Sequence, residues 1–129
     1  MLRVEIYVKD GMPLDGFGRI GKSVQAAMAC LNNELIDREV QFTEPEQVKV
    51  HLIKASCFDV GLPDFHFILR NLPSGKNART QIGACRLFWR YLCSNLTDSD
   101  VGFLNARKCE IEYSSENGNG QCYEDGQEA

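Results

Sequence analysis

Few side chains in this sequence carry chemistry, and their spacing limits what they can do. His51 and His66 fall on separate segments, and with Glu110 they suggest a metal site, but no third ligand stands at a recognisable spacing. Satisfied strand histidines are therefore the expectation, with no metal ion. Gly16-Phe17-Gly18-Arg19-Ile20-Gly21 matches G-x-G-x-x-G and precedes a helical pattern. A dinucleotide site needs its first glycine directly after a strand, whereas about seven residues including Pro13 intervene, so a helix entrance is the simpler reading and no cofactor is expected. Arg79, Arg86 and Arg90 share one helix face, with Arg19 and Lys22 on another helix. A solvated outer face is expected of them, with a phosphate- or nucleic-acid-binding surface as the rival. Phe88, Trp89 and Tyr91 form an aromatic patch for core packing, or for a partner surface if one ring is exposed.

The six cysteines at 30, 57, 85, 93, 109 and 122 contain no CxxC pair. Three of them, Cys30, Cys85 and Cys93, lie in apolar helical patterns, so reduced structural thiols in a cytoplasmic setting are expected. The Asn95-Leu96-Thr97 glycosylation pattern has no consequence in such a setting. Net charge is −4, and the segment after Ser115 holds Glu116, Glu124, Asp125 and Glu128 with no Lys or Arg, so the rest of the chain is balanced. A balanced body lacks the basic field of a nucleic-acid binder. No apolar run approaches the ~20 residues that span a bilayer, and the first residues do not read as a signal peptide, so no membrane partner is expected.

The elements that must position these groups follow from periodicity. With 129 residues the chain is about one domain in length. Leu2, Val4, Ile6 and Val8 alternate with Arg3, Glu5, Tyr7 and Lys9, the period of a strand with one buried face. From Phe17, the spacing of Ile20, Val24, Ala27, Met28, Leu31 and Leu35 predicts an amphipathic helix, and Val48, Val50 and Leu52 predict a second strand. The order then repeats. Phe65 to Leu69 read as a strand. Ala78, Ile82, Cys85, Trp89, Leu92 and Leu96 mark a long helix capped by Ser74 or Asn77 and closed by Thr97 to Asp100. Cys109, Ile111 and Tyr113 mark a last strand.

Two β-α-β units with right-handed crossovers give an α+β fold: a four-stranded mixed sheet with both helices on one face. The domain is expected over residues 1–113, followed by a mobile acidic tail over 114–129 whose polar, glycine-rich composition buries little. The uncovered sheet face carries Arg3, Glu5, Tyr7, Lys9, Lys49, His51, Glu110 and Glu112, with Ile68 between His66 and Arg70. Such a face is either solvated or turned inward in an oligomer. A ferredoxin-like module has the same element order with interleaved strands. Parallel pairing of the first two strands distinguishes against it.

Element order, internal duplication and the stretch from Lys49-Val50-His51 through Asp64-Phe65-His66-Phe67 and Arg79-Thr80-Gln81-Ile82-Gly83 to Cys109-Glu110-Ile111-Glu112 together resemble the tautomerase superfamily, nearest the 5-carboxymethyl-2-hydroxymuconate isomerase branch. The resemblance implies a homotrimer whose sheets face a central channel. It also implies proton transfer on a small enol carboxylate by an N-terminal proline amine, with an arginine near the start of strand two holding the carboxylate. This sequence has Leu2 after Met1, and Lys49 where the arginine would stand. By resemblance, the α-amine of Met1 is the catalytic candidate and Leu2 and Lys49 the substrate-binding ones. A non-catalytic oligomeric binding or scaffold protein that keeps only the fold is the alternative.

Overall fold

The computed structural model describes residues 2–35, 44–56, 60–72, 78–115 and 120–125. Strand β1 (Arg3–Val8) leads into helix α1 (Phe17–Leu35), and β2 (Lys49–Lys54) returns beside β1. The second half runs β3 (Phe65–Leu72), α2 (Ala78–Ser94), α3 (Asp98–Asn105) and β4 (Cys109–Ser115), and β5 (Gly120–Asp125) follows. The sheet order is β2-β1-β3-β4-β5. β1 pairs parallel with β2 and β3 parallel with β4, while β1 and β3 join the halves antiparallel. The four anticipated strands thus form the mixed sheet, and the parallel β1/β2 pair excludes the interleaved ferredoxin-like order.

Register places Val4, Ile6 and Val8 opposite Leu69, Phe67 and Phe65, and these opposite Tyr113, Ile111 and Cys109, so one face carries a continuous apolar layer. Ile20, Val24, Met28 and Leu31 of α1 and Cys85, Phe88, Trp89 and Leu92 of α2 are buried in the same core. Phe67 meets Phe88 at 6.0 Å and the edge of Trp89 at 6.5 Å between ring centroids. The aromatic patch is therefore mostly core; Tyr91 is half-buried and its hydroxyl donates to Glu34. Cys85 and Cys109 are buried, their thiols donating to the Ile111 and Leu104 carbonyls, whereas Cys30 is exposed between buried Ala29 and Leu31, off the apolar stripe of α1.

Three features differ from the sequence reading. Thr97 to Asp100 do not simply end α2: they start α3, the Thr97 hydroxyl accepting from the Asp100 backbone N–H at 3.2 Å. Residues that compete with the backbone to stop one helix are the ones that cap the next. Asp100, buried, also takes the Arg19 guanidinium at 3.1 Å, tying α3 to α1. Second, Asn71 adopts a left-handed φ of 68° where the β3/β4 register shifts between Arg70 and Leu72. This bulge keeps Arg70 on the uncovered face and returns Leu72, otherwise due on that face, to the core.

Third, the boundary at residue 113 falls short of the sheet. Ser114 and Ser115 complete β4, and residues 120–125, expected within a mobile tail, run antiparallel to it. An open β4 edge offers a row of unpaired N–H and C=O groups, and a short segment after a Gly-Asn-Gly turn signal can satisfy them whatever its charge. Residues 116–119 and 126–129 of that tail lie outside the described residues, as do Ser74 and Asn77, the expected caps of α2.

Candidate functional site

The face opposite the helices is built in rows, because alternate residues of each strand project to it. At the head of β1 and β2 the row is Lys49, Arg3 and Arg70; the next holds His51, Glu5, Ile68 and Glu112; the third holds Ile53, Tyr7, His66 and Glu110. Three cations thus stand side by side on three adjacent strands. The parallel β1/β2 pair sets the first neighbour, the antiparallel β1/β3 pair sets the second, and the Asn71 bulge leaves Arg70 as the last outward residue before β3 turns inward.

Glu5 is the counter-charge. Its carboxylate accepts from Arg70 Nε at 2.5 Å and lies 3.7 Å from Arg3 Nε, with its side chain only 15% exposed. The hydrogen bond to Glu5 raises the Arg70 pKa above the ordinary guanidinium value against the opposing effect of burial, and the charges of Glu5, Tyr7 and Glu112 add to the rise. Arg3 Nε is shut off from solvent and has no hydrogen-bond partner. Lys49 is exposed. Among the described residues, one carboxylate set between three cations leaves the head of the sheet suited to a small anion.

Of the residues singled out by resemblance, Leu2 and Lys49 are brought together: the Lys49 backbone N–H donates to the Leu2 carbonyl at 3.1 Å. The Leu2 side chain points into the core at 7% exposure, so it anchors β1 and does not line the cationic row. Met1 lies outside the described residues. Arg3 and Arg70 were legible as residues of the uncovered face, but their membership of one row with Lys49 required the antiparallel β1/β3 register and the bulge.

The other constellations resolve locally. His51 and His66 share the uncovered face, and His66 Nε2 stands 3.8 Å from the Glu112 carboxylate; no cluster of three metal-ligating side chains occurs among the described residues. Gly16 adopts φ +80° and its carbonyl accepts from the Arg19 and Ile20 N–H groups, so the glycine run builds the entrance of α1. Arg86 and Arg90 are exposed on α2, and the Arg79 side chain lies outside the described residues. No helix among the described residues is long and apolar enough to cross a membrane.

The chain has the fold of the tautomerase superfamily, the 5-carboxymethyl-2-hydroxymuconate isomerase branch included. It is similar to a solved 5-carboxymethyl-2-hydroxymuconate delta-isomerase, with a TM-score of 0.55 and 14% identity over 94% of this chain and 87% of that one. It is also similar to a fused 4-OT wild-type symmetric trimer, with a TM-score of 0.50 and 9% identity over 91% of this chain and 94% of the other. At these identities the likeness is one of fold. No family model matches the sequence. No curated protein matches it either.

Proposed function

We propose that this chain is a tautomerase-fold protein that binds, and at most slowly isomerises, a small enol carboxylate at the head of its sheet. The observation that carries the reading is the row of Lys49, Arg3 and Arg70, with Glu5 as its close counter-charge among the described residues. In this reading Lys49 and Arg3 attract the carboxylate, Arg70 is held in place by Glu5, and Leu2 fixes the start of β1. The α-amine of Met1 is the base that moves a proton between carbon and oxygen. An ordinary α-amine has a pKa of about 8 and is a poor base at neutral pH unless its site tunes it. Lysine gives the carboxylate a point charge without a bidentate fork, so orientation at Lys49 is loose. The protein is further proposed to be a cytoplasmic homotrimer, its uncovered sheet faces turned toward one another; one of the similar solved structures is described as a symmetric trimer.

A second reading, a binding or scaffold protein without turnover, is favoured by one observation: Glu5 already contacts two of the three cations. A partly self-neutralised row suits a sheet face buried between subunits. Ketonisation of phenylenolpyruvate separates the two. The native chain should show little or no rate above buffer. A Leu2→Pro, Lys49→Arg variant, in which methionine removal exposes a secondary amine and the fork is restored, should gain a rate that is lost when the N-terminus is blocked. General-base catalysis contributes about 10² to 10⁴ fold, well within detection. If mass spectrometry confirms a free Pro N-terminus in an intact assembly and the rate stays at background, the scaffold reading replaces the isomerase one.

A further inference from the structure

At the opposite end of the sheet from the cationic row lies a cleft of about 390 Å³, a size typical of small-molecule sites. Tyr7, Ile53, His66 and Ile68 form its floor on the uncovered face, and Leu62 and Pro63 wall it from the turn that precedes β3. Lys9 and Lys54, both exposed, stand at its rim, and among the described residues none that lines it is acidic. The Tyr7 and His66 rings are tilted by 48° at 6.4 Å, giving a partly aromatic floor. His66 Nε2 is shut off from solvent without a hydrogen-bond partner, its nearest acid being Glu112 at 3.8 Å.

We infer that this cleft is a second small-molecule site that takes an aromatic carboxylate. An apolar floor with two rings suits a flat body, because ring-on-ring and aliphatic contacts need no hydrogen-bond matching. Two ammonium groups at the mouth, with no carboxylate among the described lining residues, select a negative over a neutral or positive head group. His66 contributes its ring to that floor, while its Nε2, shut off from solvent and 3.8 Å from Glu112, stays out of reach of the bound molecule. Arg3 and Tyr7 are four residues apart on one strand, about 13 Å, so the site is separate from the head of the sheet and does not rest on the function proposed for it.

The test uses the full chain with phenylacetate and its neutral isostere phenylacetamide, followed by backbone amide NMR. Phenylacetate should shift the Tyr7, Ile53 and His66 amides saturably, and phenylacetamide should bind at least fivefold more weakly. Lys9→Gln with Lys54→Gln should cost phenylacetate at least fivefold in affinity. Ala55→Trp should fill the cleft and abolish the shifts while the thermal melt stays cooperative, with Ile53→Trp as the replacement if that variant does not fold. Lys49→Gln, at the other end of the sheet, should leave the shifts unchanged. Shifts confined to Arg3 and Lys49, equal binding of acid and amide, or binding that survives a folded cleft-filling variant would each overturn the inference.

Discussion

Replacing Glu5 by Gln should make the protein less stable and at the same time a better anion binder, because one carboxylate serves both roles. In the folded chain Glu5 accepts from Arg70 at 2.5 Å and stands 3.7 Å from Arg3, with its own side chain 15% exposed but those of Arg3 and Arg70 42% and 35% exposed. Breaking a fully buried pair costs about 3–5 kcal/mol, and a hydrogen bond to a charged group contributes about 1.5–3 kcal/mol. With both cations more than a third exposed, solvent screening discounts these figures, and a loss of about 1–2 kcal/mol is expected. For binding, Glu5 sits two residues along the strand from Arg3, roughly 6–7 Å from an anion held there. At an effective dielectric of ~40, repulsion over that distance is about 1.3 kcal/mol, close to a tenfold change in affinity.

Urea denaturation would read the first effect. Titration with crotonate, a small planar carboxylate lacking an aryl group, would read the second, at low and at high salt. Affinity should rise about tenfold in Glu5→Gln, and the gain should shrink as salt screens the row. Unchanged affinity in a folded variant, or affinity that falls with stability, would refute the reasoning that Glu5 is the counter-charge of an anion site.

Gly16→Ala should destabilise by about 1–2 kcal/mol in chemical denaturation, since φ +80° is a left-handed conformation and the added Cβ would lie 2.6 Å from Arg19 Nη2; an unchanged midpoint would count against the helix-entrance role. Tyr91, whose hydroxyl donates to Glu34, has its pKa raised to about 12 by that hydrogen bond first and by burial second. Its folded-state value lies above the ordinary phenol near 10, so this contribution to stability is complete below about pH 10 and is lost as pH rises through about 12. Absorbance at 295 nm should show a late-titrating phenol that disappears in Tyr91→Phe, and its persistence there would contradict the assignment. Light scattering at micromolar concentration should give the mass of a trimer; a monomer would count against the inward-facing sheet.

Most of the fold was legible because its signals are local. Period-two alternation in β1 and the stripe of Ile20, Val24, Met28 and Leu31 in α1 are set by which side chains face the core, and the duplicated order then fixed the parallel pairs. Helix α3 escaped because Thr97, Asp98, Ser99 and Asp100 are equally good stop and start signals, and its apolar contacts, buried Leu104 and half-buried Phe103 against Phe65, make no long stripe. Strand β5 escaped because its pairing depends on the open β4 edge, a tertiary fact, while its own composition reads as solvent-loving. The candidate site was half legible. Lys49 could be named by resemblance, but Arg3 and Arg70 join it only through register across three strands and through one left-handed residue, Asn71, whose conformation no periodicity encodes.

The most direct measurement is a crotonate titration of the full chain followed at the Arg3, Lys49 and Arg70 amides, repeated with Lys49→Gln. Binding should perturb all three positions together, fit one site per chain, and weaken about tenfold in the variant, the loss expected when a charge-assisted contact is removed from a partly exposed row. Crotonate that leaves these amides unmoved, or binds Lys49→Gln as well as it binds the native protein, would contradict a carboxylate site at the head of the sheet.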